Sequence, residues 1–283
     1  MILRRAPGGA SMARSSAAIG LSAEAKLIQA ADKAGVPVPG VLHVLEEEDG
    51  LGDGFLMSRV LGETIARPIL RDEAFSKART QMSAQCGESL AAIHSIPIDS
   101  LPPEVQVSDG LAQIAQYEEI YRGFDAPRPV FELTLQWLKA NAPAPLDTVL
   151  VHGDFRLGNL MVAESGLVAV LDWELAHLGD PREDIAWICV NSWRFGQSQN
   201  RVGGFGALED LLNVYNQRSG LSITPHDVDW WEMLGTLKWG VMCMIMYEAF
   251  RSGADASVER AAIGRRVSET EIDLINLLEA AHA

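Results

Sequence analysis

Apolar residues along this chain follow two rhythms. Through the first sixty or so positions they come in short runs separated by Gly, Pro and acidic turns. From about residue 72 onward they recur every three or four positions, the spacing of a helix face. Ile2-Leu3-Arg4 reads as a strand, Ala23 to Ala34 as a helix, and Val41 to Glu46 and Phe55 to Val60 as a strand pair around the turn-forming DGLGDG. Pro37 and Pro39 keep the connection before that pair extended. A helix is predicted from about Asp72 to Ser95, with Phe75, Met82, Cys86, Leu90 and Ile93 on one face and Ile96-Pro97 ending it. Further helices are expected from about Ser108 to Arg122, Val130 to Asn141, Leu208 to Arg218 and Glu269 to Ala281. Another, His226 to Phe250, carries the stripe Trp230, Leu234, Leu237, Val241 and Met244. The pattern predicts an α+β chain with a small β-rich lobe and hinge, residues 1–62, and a larger, mainly helical lobe, residues 63–283.

Composition narrows the class. At 283 residues and 48% hydrophobic, the chain can bury a sizeable core and is not disordered as a whole. Its longest dense apolar stretch, Gly240 to Phe250, is too short to cross a bilayer and reads as a buried helix. The start, MILRRAPGGASMARSS, has basic residues but no apolar signal-peptide core. Cys86, Cys189 and Cys243 are odd in number and set in apolar helical patterns, which fits reduced core thiols in a cytoplasmic enzyme. A formal charge of −15 argues against a nucleic-acid partner, which would need a basic patch. No membrane partner is expected, and the oligomeric state is left open.

The chemistry is concentrated in VHGDFRLGNLMVAESGLVAVLDWELAHLGDPREDIAW. Asp154 and Asn159 have the Asp-x-x-x-x-Asn spacing of a phosphoryl-transfer loop. Such transfer needs positioning and charge neutralisation more than covalent chemistry. Asp154 is placed to take the proton of an attacking hydroxyl, while Asn159 offers an amide oxygen to Mg²⁺, with Gly158 allowing a tight loop between them. The apolar run Gly166 to Leu171 reads as a strand that delivers Asp172, a carboxylate able to bridge metal and triphosphate. Glu174 is a further possible oxygen donor. Arg156 lies where a cation could meet charge on the phosphoryl group in flight. His152 reads as a structural residue bonded to backbone. Asp184, at the start of a helix predicted over DIAWICVNSW, reads as an acceptor of backbone N–H bonds that stiffens the loop.

This segment resembles the catalytic core of the aminoglycoside phosphotransferase and choline kinase-like family, a branch of the protein-kinase-like fold. With ILRRAPGGA, GVPVPGVL, FLMSRVLGE and LAAIHSI, the chain is most similar to the kinase-like domains associated with acyl-CoA dehydrogenases. The resemblance implies a two-lobed kinase-like fold, ATP and Mg²⁺ as cofactors, and a small-molecule hydroxyl as acceptor, with a hydroxyacyl compound the leading candidate. An aminoglycoside acceptor, or a catalytically impaired nucleotide-binding protein, are the alternatives. The resemblance also implies a hinge at Met57 to Gly62, where Met57, Arg59 and Val60 would receive adenine.

The chain departs from that family at its beginning. Related kinases place two strands and a phosphate-covering loop before the strand bearing the ATP-contacting cation, and here that strand starts at Ile2. The matching cation is Arg4, usually Lys, with Glu24 as its carboxylate partner. Gly8-Gly9 follows this strand and cannot simply be taken as the missing loop. A start further upstream, a naturally reduced first lobe, and loss of catalysis each account for this, the first most economically. For the acceptor, the sequence offers Trp193, Arg194 and Phe195, then Trp230, Trp231, Trp239, Tyr247, Phe250 and Arg251, aromatic positions that serve a core as readily as a pocket. No segment ending in Ala-Pro-Glu follows Asp172, which disfavours a protein acceptor.

Overall fold

The computed structural model describes residues 1–6 and 18–282. Gly8 and Gly9 therefore lie outside the described residues. The β-rich part is a three-stranded antiparallel sheet with β3 (Gly54–Met57) between β1 (Ile2–Arg5) and β2 (Val41–Val44). Phe55 is fully buried in the central strand, and Arg4 is its register partner on β1. Helix α1 (Leu21–Lys33) buries Leu21, Leu27, Ile28 and Ala31, and Glu24 shares its buried face.

The helical part comprises α2 (Ala66–Arg71), α3 (Ser76–His94), α4 (Gly110–Arg122), α5 (Pro129–Ala140), α6 (Arg182–Trp187), α7 (Leu208–Ser219), α8 (Pro225–Arg251), α9 (Val258–Gly264) and α10 (Val267–His282). Two small antiparallel pairs are set among them. One joins β4 (Val149–Val151) to β7 (His177–Gly179), and the other joins β5 (Leu160–Ala163) to β6 (Gly166–Val170). Helix α8 starts where its sequence dictates. Pro225 takes the first turn, the Thr224 hydroxyl accepts from the Asp227 N–H, and Asp227 returns a bond from the Thr224 N–H at 2.8 Å.

Among the differences from expectation, three concern predicted helices. The helix predicted over DIAWICVNSW stops at Trp187, because Val190 turns extended and Asn191–Trp193 form a separate 3-10 turn. Residues 73–75 also make a 3-10 turn, so α3 begins at Ser76. The apolar stretch Gly240 to Phe250 is buried only as far as Met244, and Ile245, Tyr247 and Phe250 are exposed. At 27 residues α8 runs about 40 Å, so its far end outreaches the core it packs on. Among the described residues, no helix is long and apolar enough to cross a membrane.

The two parts are stitched by backbone bonds to residues 162–174. The Ile19 N–H donates to Glu174 O at 2.9 Å and the Val170 N–H to Pro37 O at 2.7 Å. Glu63, just past the predicted hinge, exchanges two backbone bonds with Val162 on β5, at 2.8 and 2.9 Å.

Candidate active site

Strand β4 runs into a turn whose geometry demands glycine. Gly153 has φ +81°, and a Cβ there would lie 2.3 Å from Leu175 O. Asp184 clamps the turn from the first turn of α6. Its Oδ2 accepts the His152 N–H at 2.7 Å and its Oδ1 the Gly153 N–H at 3.0 Å. The same carboxylate faces His94 Nε2 at 3.3 Å, and His94 Nδ1 meets the Tyr215 hydroxyl at 2.8 Å, which ties the turn to α3 and α7. His152 is fully buried. Its Nδ1 accepts the Asp154 N–H at 3.2 Å, which assigns the ring hydrogen to Nε2, facing Leu171 O at 3.1 Å. Burial lowers its pKa, keeping the ring neutral, as a structural spacer requires.

Asp154 stands at the end of this turn with three N–H donors on its carboxylate. Oδ1 accepts Trp187 Nε1 at 2.7 Å and Arg156 Nε at 2.9 Å, while Oδ2 accepts Asn159 Nδ2 at 2.6 Å. Asn159 also donates to Asp154 O at 2.9 Å, so its amide nitrogen is spent on Asp154 and its oxygen is left for another partner. The 3-10 turn Leu157–Asn159 makes this short reach possible. Gly158 was expected to permit the tight turn through its backbone. Instead its missing Cβ makes room for the Arg156 guanidinium, whose Nη1 lies 2.3 Å from where that carbon would be. Arg156 stacks over Trp193, with 4.8 Å from Cζ to the ring centroid.

The β5–β6 hairpin returns the chain to Asp172, which adopts φ +65°, a left-handed conformation unusual for a non-glycine residue and a mark of functional sites. Three carboxylates meet one cation here. Arg4 Nη2 lies 2.9 Å from Asp172 Oδ1 and 3.3 Å from Glu174 Oε2, and Arg4 Nε lies 3.1 Å from Glu24 Oε2. Glu24 is buried, whereas Asp172 and Glu174 are about a third exposed, at 34% and 36%, and face the open side. Among the described residues, no group of three or more His, Cys, Asp or Glu side chains is arranged to hold a metal ion. The Asn159 amide oxygen and the Asp172 carboxylate fit a cation that takes one or two protein oxygens and completes its shell with phosphate and water, the habit of Mg²⁺.

Of the hinge residues, Met57 and Val60 are half-buried and Arg59 is exposed. Among the described residues, the backbones of Arg59, Val60 and Leu61 make no hydrogen bond, while Ser58 is fixed to Gly40 by its N–H at 2.8 Å and its hydroxyl at 2.9 Å. The aromatic positions divide. Trp230, Trp231 and Trp239 are buried in the core, Trp193 bridges Arg156 and Trp239, and Tyr247 and Phe250 are surface residues. Arg194 pairs with Glu232 at 2.5 Å in the wall of a cavity of about 1090 Å³ between α5, α8 and α10. Sequence reasoning did not single out Trp187. Its signal was its place three residues after Asp184, which puts both on one helix face.

A mainly helical lobe, a small sheet, an Asp-x-x-x-x-Asn loop and a carboxylate after the following hairpin define a kinase-like phosphotransferase fold. The chain belongs to the phosphotransferase enzyme family (APH), whose family model matches residues 1–221. It is 34% identical over 203 residues to acyl-CoA dehydrogenase family member 10 of Mus musculus, covering 67% of this chain and 18% of that protein. It is 25% identical over 293 residues to acyl-CoA dehydrogenase family member 11 of Homo sapiens, covering 98% of this chain and 36% of the relative. The chain thus spans less than two fifths of the length of either relative. A solved structure from Ralstonia eutropha JMP134, described as an aminoglycoside phosphotransferase, superposes with a TM-score of 0.74 at 22% identity, covering 92% of this chain and 83% of that one. That likeness shows the two-lobed, kinase-like fold.

Proposed function

We propose that the chain transfers the γ-phosphoryl group of ATP, with Mg²⁺, to a hydroxyl of a small molecule, a hydroxyacyl compound first among candidates. The observation that carries this reading is the Asp154 carboxylate, held by three N–H donors, together with a partly exposed Asp172 in a strained backbone conformation. A carboxylate offers about four lone-pair sites, so three donors leave one for an acceptor hydroxyl. Asp154 orients that hydroxyl and takes its proton. Arg156 keeps its terminal nitrogens for charge on the phosphoryl group. The Asn159 oxygen and Asp172 would hold Mg²⁺, with Glu174 close by; the ion when bound neutralises phosphate charge. Arg4, anchored by Glu24, would meet the nucleotide phosphates, and the chain from Met57 through Arg59 and Val60, whose last two backbones are unbonded among the described residues, would receive adenine. The lobe boundary is placed at residues 62 and 63 on the same reading.

The hydroxyacyl preference is supported by the names of the relatives, which are acyl-CoA dehydrogenase family members. The net charge of −15 favours the second reading, a polycationic aminoglycoside acceptor. A cytoplasmic setting is supported by three buried, unpaired cysteines. The test is Mg²⁺-dependent ATP binding by calorimetry, followed by ATP consumption with a panel of hydroxyacyl compounds and aminoglycosides. Turnover with hydroxyacyl compounds supports the reading. Turnover confined to aminoglycosides reverses the order, and failure to bind ATP moves a non-catalytic protein to the front.

A further inference from the structure

Trp187 makes the shortest bond to Asp154 Oδ1, at 2.7 Å, and is itself 4% exposed. Its ring is wedged from several sides. Trp193 packs against it at 5.5 Å between centroids, and Lys238 Nζ lies 5.4 Å from the ring centre. Lys238 is a buried cation tied to Gln113 Oε1 at 2.6 Å and Glu183 Oε1 at 2.9 Å. Helix α8 can press this lysine onto the indole because Gly235 lacks a side chain. A Cβ there would lie 3.0 Å from Val190 Cγ2 and 3.2 Å from Trp187 Cε3, tighter than ordinary packing.

We propose that Trp187 is a positioning residue of the phosphotransfer centre, its indole N–H fixing Asp154 so that the acceptor hydroxyl is received at Oδ2, with the buried Lys238–Glu183 pair holding the indole in place. The inference rests on the phosphotransfer reading of Asp154. Oδ1 already accepts two N–H groups and is saturated, whereas Oδ2 accepts one and keeps a lone pair. Arg156, partly exposed, can reach phosphate through its terminal nitrogens while its Nε stays on Oδ1, so guanidinium and indole together keep that oxygen filled. A cation over the face of an indole is attracted by the ring quadrupole, so Lys238 both supports the ring and favours donation by its N–H.

A tryptophan that merely fills the core needs its ring and not its N–H, and that separates the two roles. In the ¹⁵N-labelled 283-residue chain, the Trp187 indole signal, assigned by through-bond connectivity, is expected to move in Asp154→Ala more than any other indole signal. Trp187→Phe is expected to keep ATP binding within about twofold and to retain its Tm. Its kcat should fall about ten- to a hundredfold at unchanged acceptor KM, the scale of a slightly misplaced reacting group. A Trp187 signal indifferent to Asp154→Ala, or wild-type kcat in Trp187→Phe, overturns the proposal. Absence of turnover in the wild type overturns the phosphotransfer reading instead. The indole signal then still decides whether Trp187 holds Asp154, and because it is read in Asp154→Ala it does not depend on Trp187→Phe folding.

Discussion

Arg4 Nη2 and Asp172 Oδ1 meet at 2.9 Å across 168 positions of sequence, closing the first strand of the sheet onto the carboxylate that follows the β5–β6 hairpin. The same guanidinium reaches Glu24 and Glu174, so a single side chain balances three acids. Arg uses its fork for this, and the point charge of Lys does not reproduce it. Arg4→Lys is expected to weaken Mg²⁺-ATP binding about tenfold and Arg4→Ala by more, since a hydrogen bond to a charged group contributes about 1.5–3 kcal/mol. Isothermal calorimetry at fixed Mg²⁺ checks this, and unchanged affinity in Arg4→Ala would remove Arg4 from the nucleotide site.

Asp154 and Asp172 should separate chemistry from binding. Asp154→Ala is expected to lower turnover by about 10²–10⁴, the range of a positioned general base, while leaving nucleotide affinity intact. Asp172→Ala should weaken Mg²⁺-nucleotide binding as well. Steady-state rates alongside calorimetry test the pair, and full turnover by Asp154→Ala would refute the assigned base.

Lys238 and Glu183 make a buried ion pair beside the site. Burial alone would raise the Glu183 pKa, but the Lys238 charge and the His177 ring outweigh it and hold the carboxyl below its ordinary range. Lys238→Met strands part of that charge and is expected to cost about 3–5 kcal/mol. Adding Glu183→Gln should recover much of the loss. Chemical denaturation of the single and double variants measures the difference, and equal stability of the two would show that charge stranding is not the cause.

His177 supplies a pH signature. Burial works against its charge, but Glu183, 3.0 Å away, more than compensates and raises its pKa above the usual value. A raised imidazolium pKa stabilises the fold fully below the unfolded value of about 6.5, and this is lost as pH rises through the folded value. The depressed Glu183 behaves oppositely, contributing above about 4.3 and losing that contribution as pH falls. Between about pH 4.3 and 6.5 both contributions are present in full. The Tm advantage of wild type over His177→Gln should therefore be largest in that window and shrink above it. A difference that stays flat from pH 5 to 9 would count against the pair.

The sequence carried the site wherever its geometry is local. Asp154 to Asn159 is a six-residue loop, and Asp172 follows a hairpin whose apolar run is continuous, so spacing alone singled them out. Arg4 and Glu24 were paired through a family resemblance, and the structure sets them 3.1 Å apart. The other two acids on Arg4 lie 168 and 170 residues away, and no periodicity encodes such a contact. Trp187 was absorbed into a helix drawn too long, because the run after Asp184 contains no breaker and its end is set by packing against α8. Helix α9 was missed for the opposite reason. VERAAIG has no buried face to produce a stripe, and the Ser257 cap, bonded to the Arg260 N–H at 3.3 Å, was its lone signal.

The Asp184 clamp has a consequence for the order in which the molecule becomes competent. Its carboxylate holds the His152 and Gly153 amides while leaning on His94 of α3, which leans on Tyr215 of α7. The turn at Gly153 has one weak local bond, from the Asp154 N–H to His152 Nδ1 at 3.2 Å, so it takes this shape once helices more than a hundred residues apart have docked. Those two amides should then exchange with deuterium at the slow rate of global opening, like the α3–α7 core and unlike an active-site loop that breathes on its own.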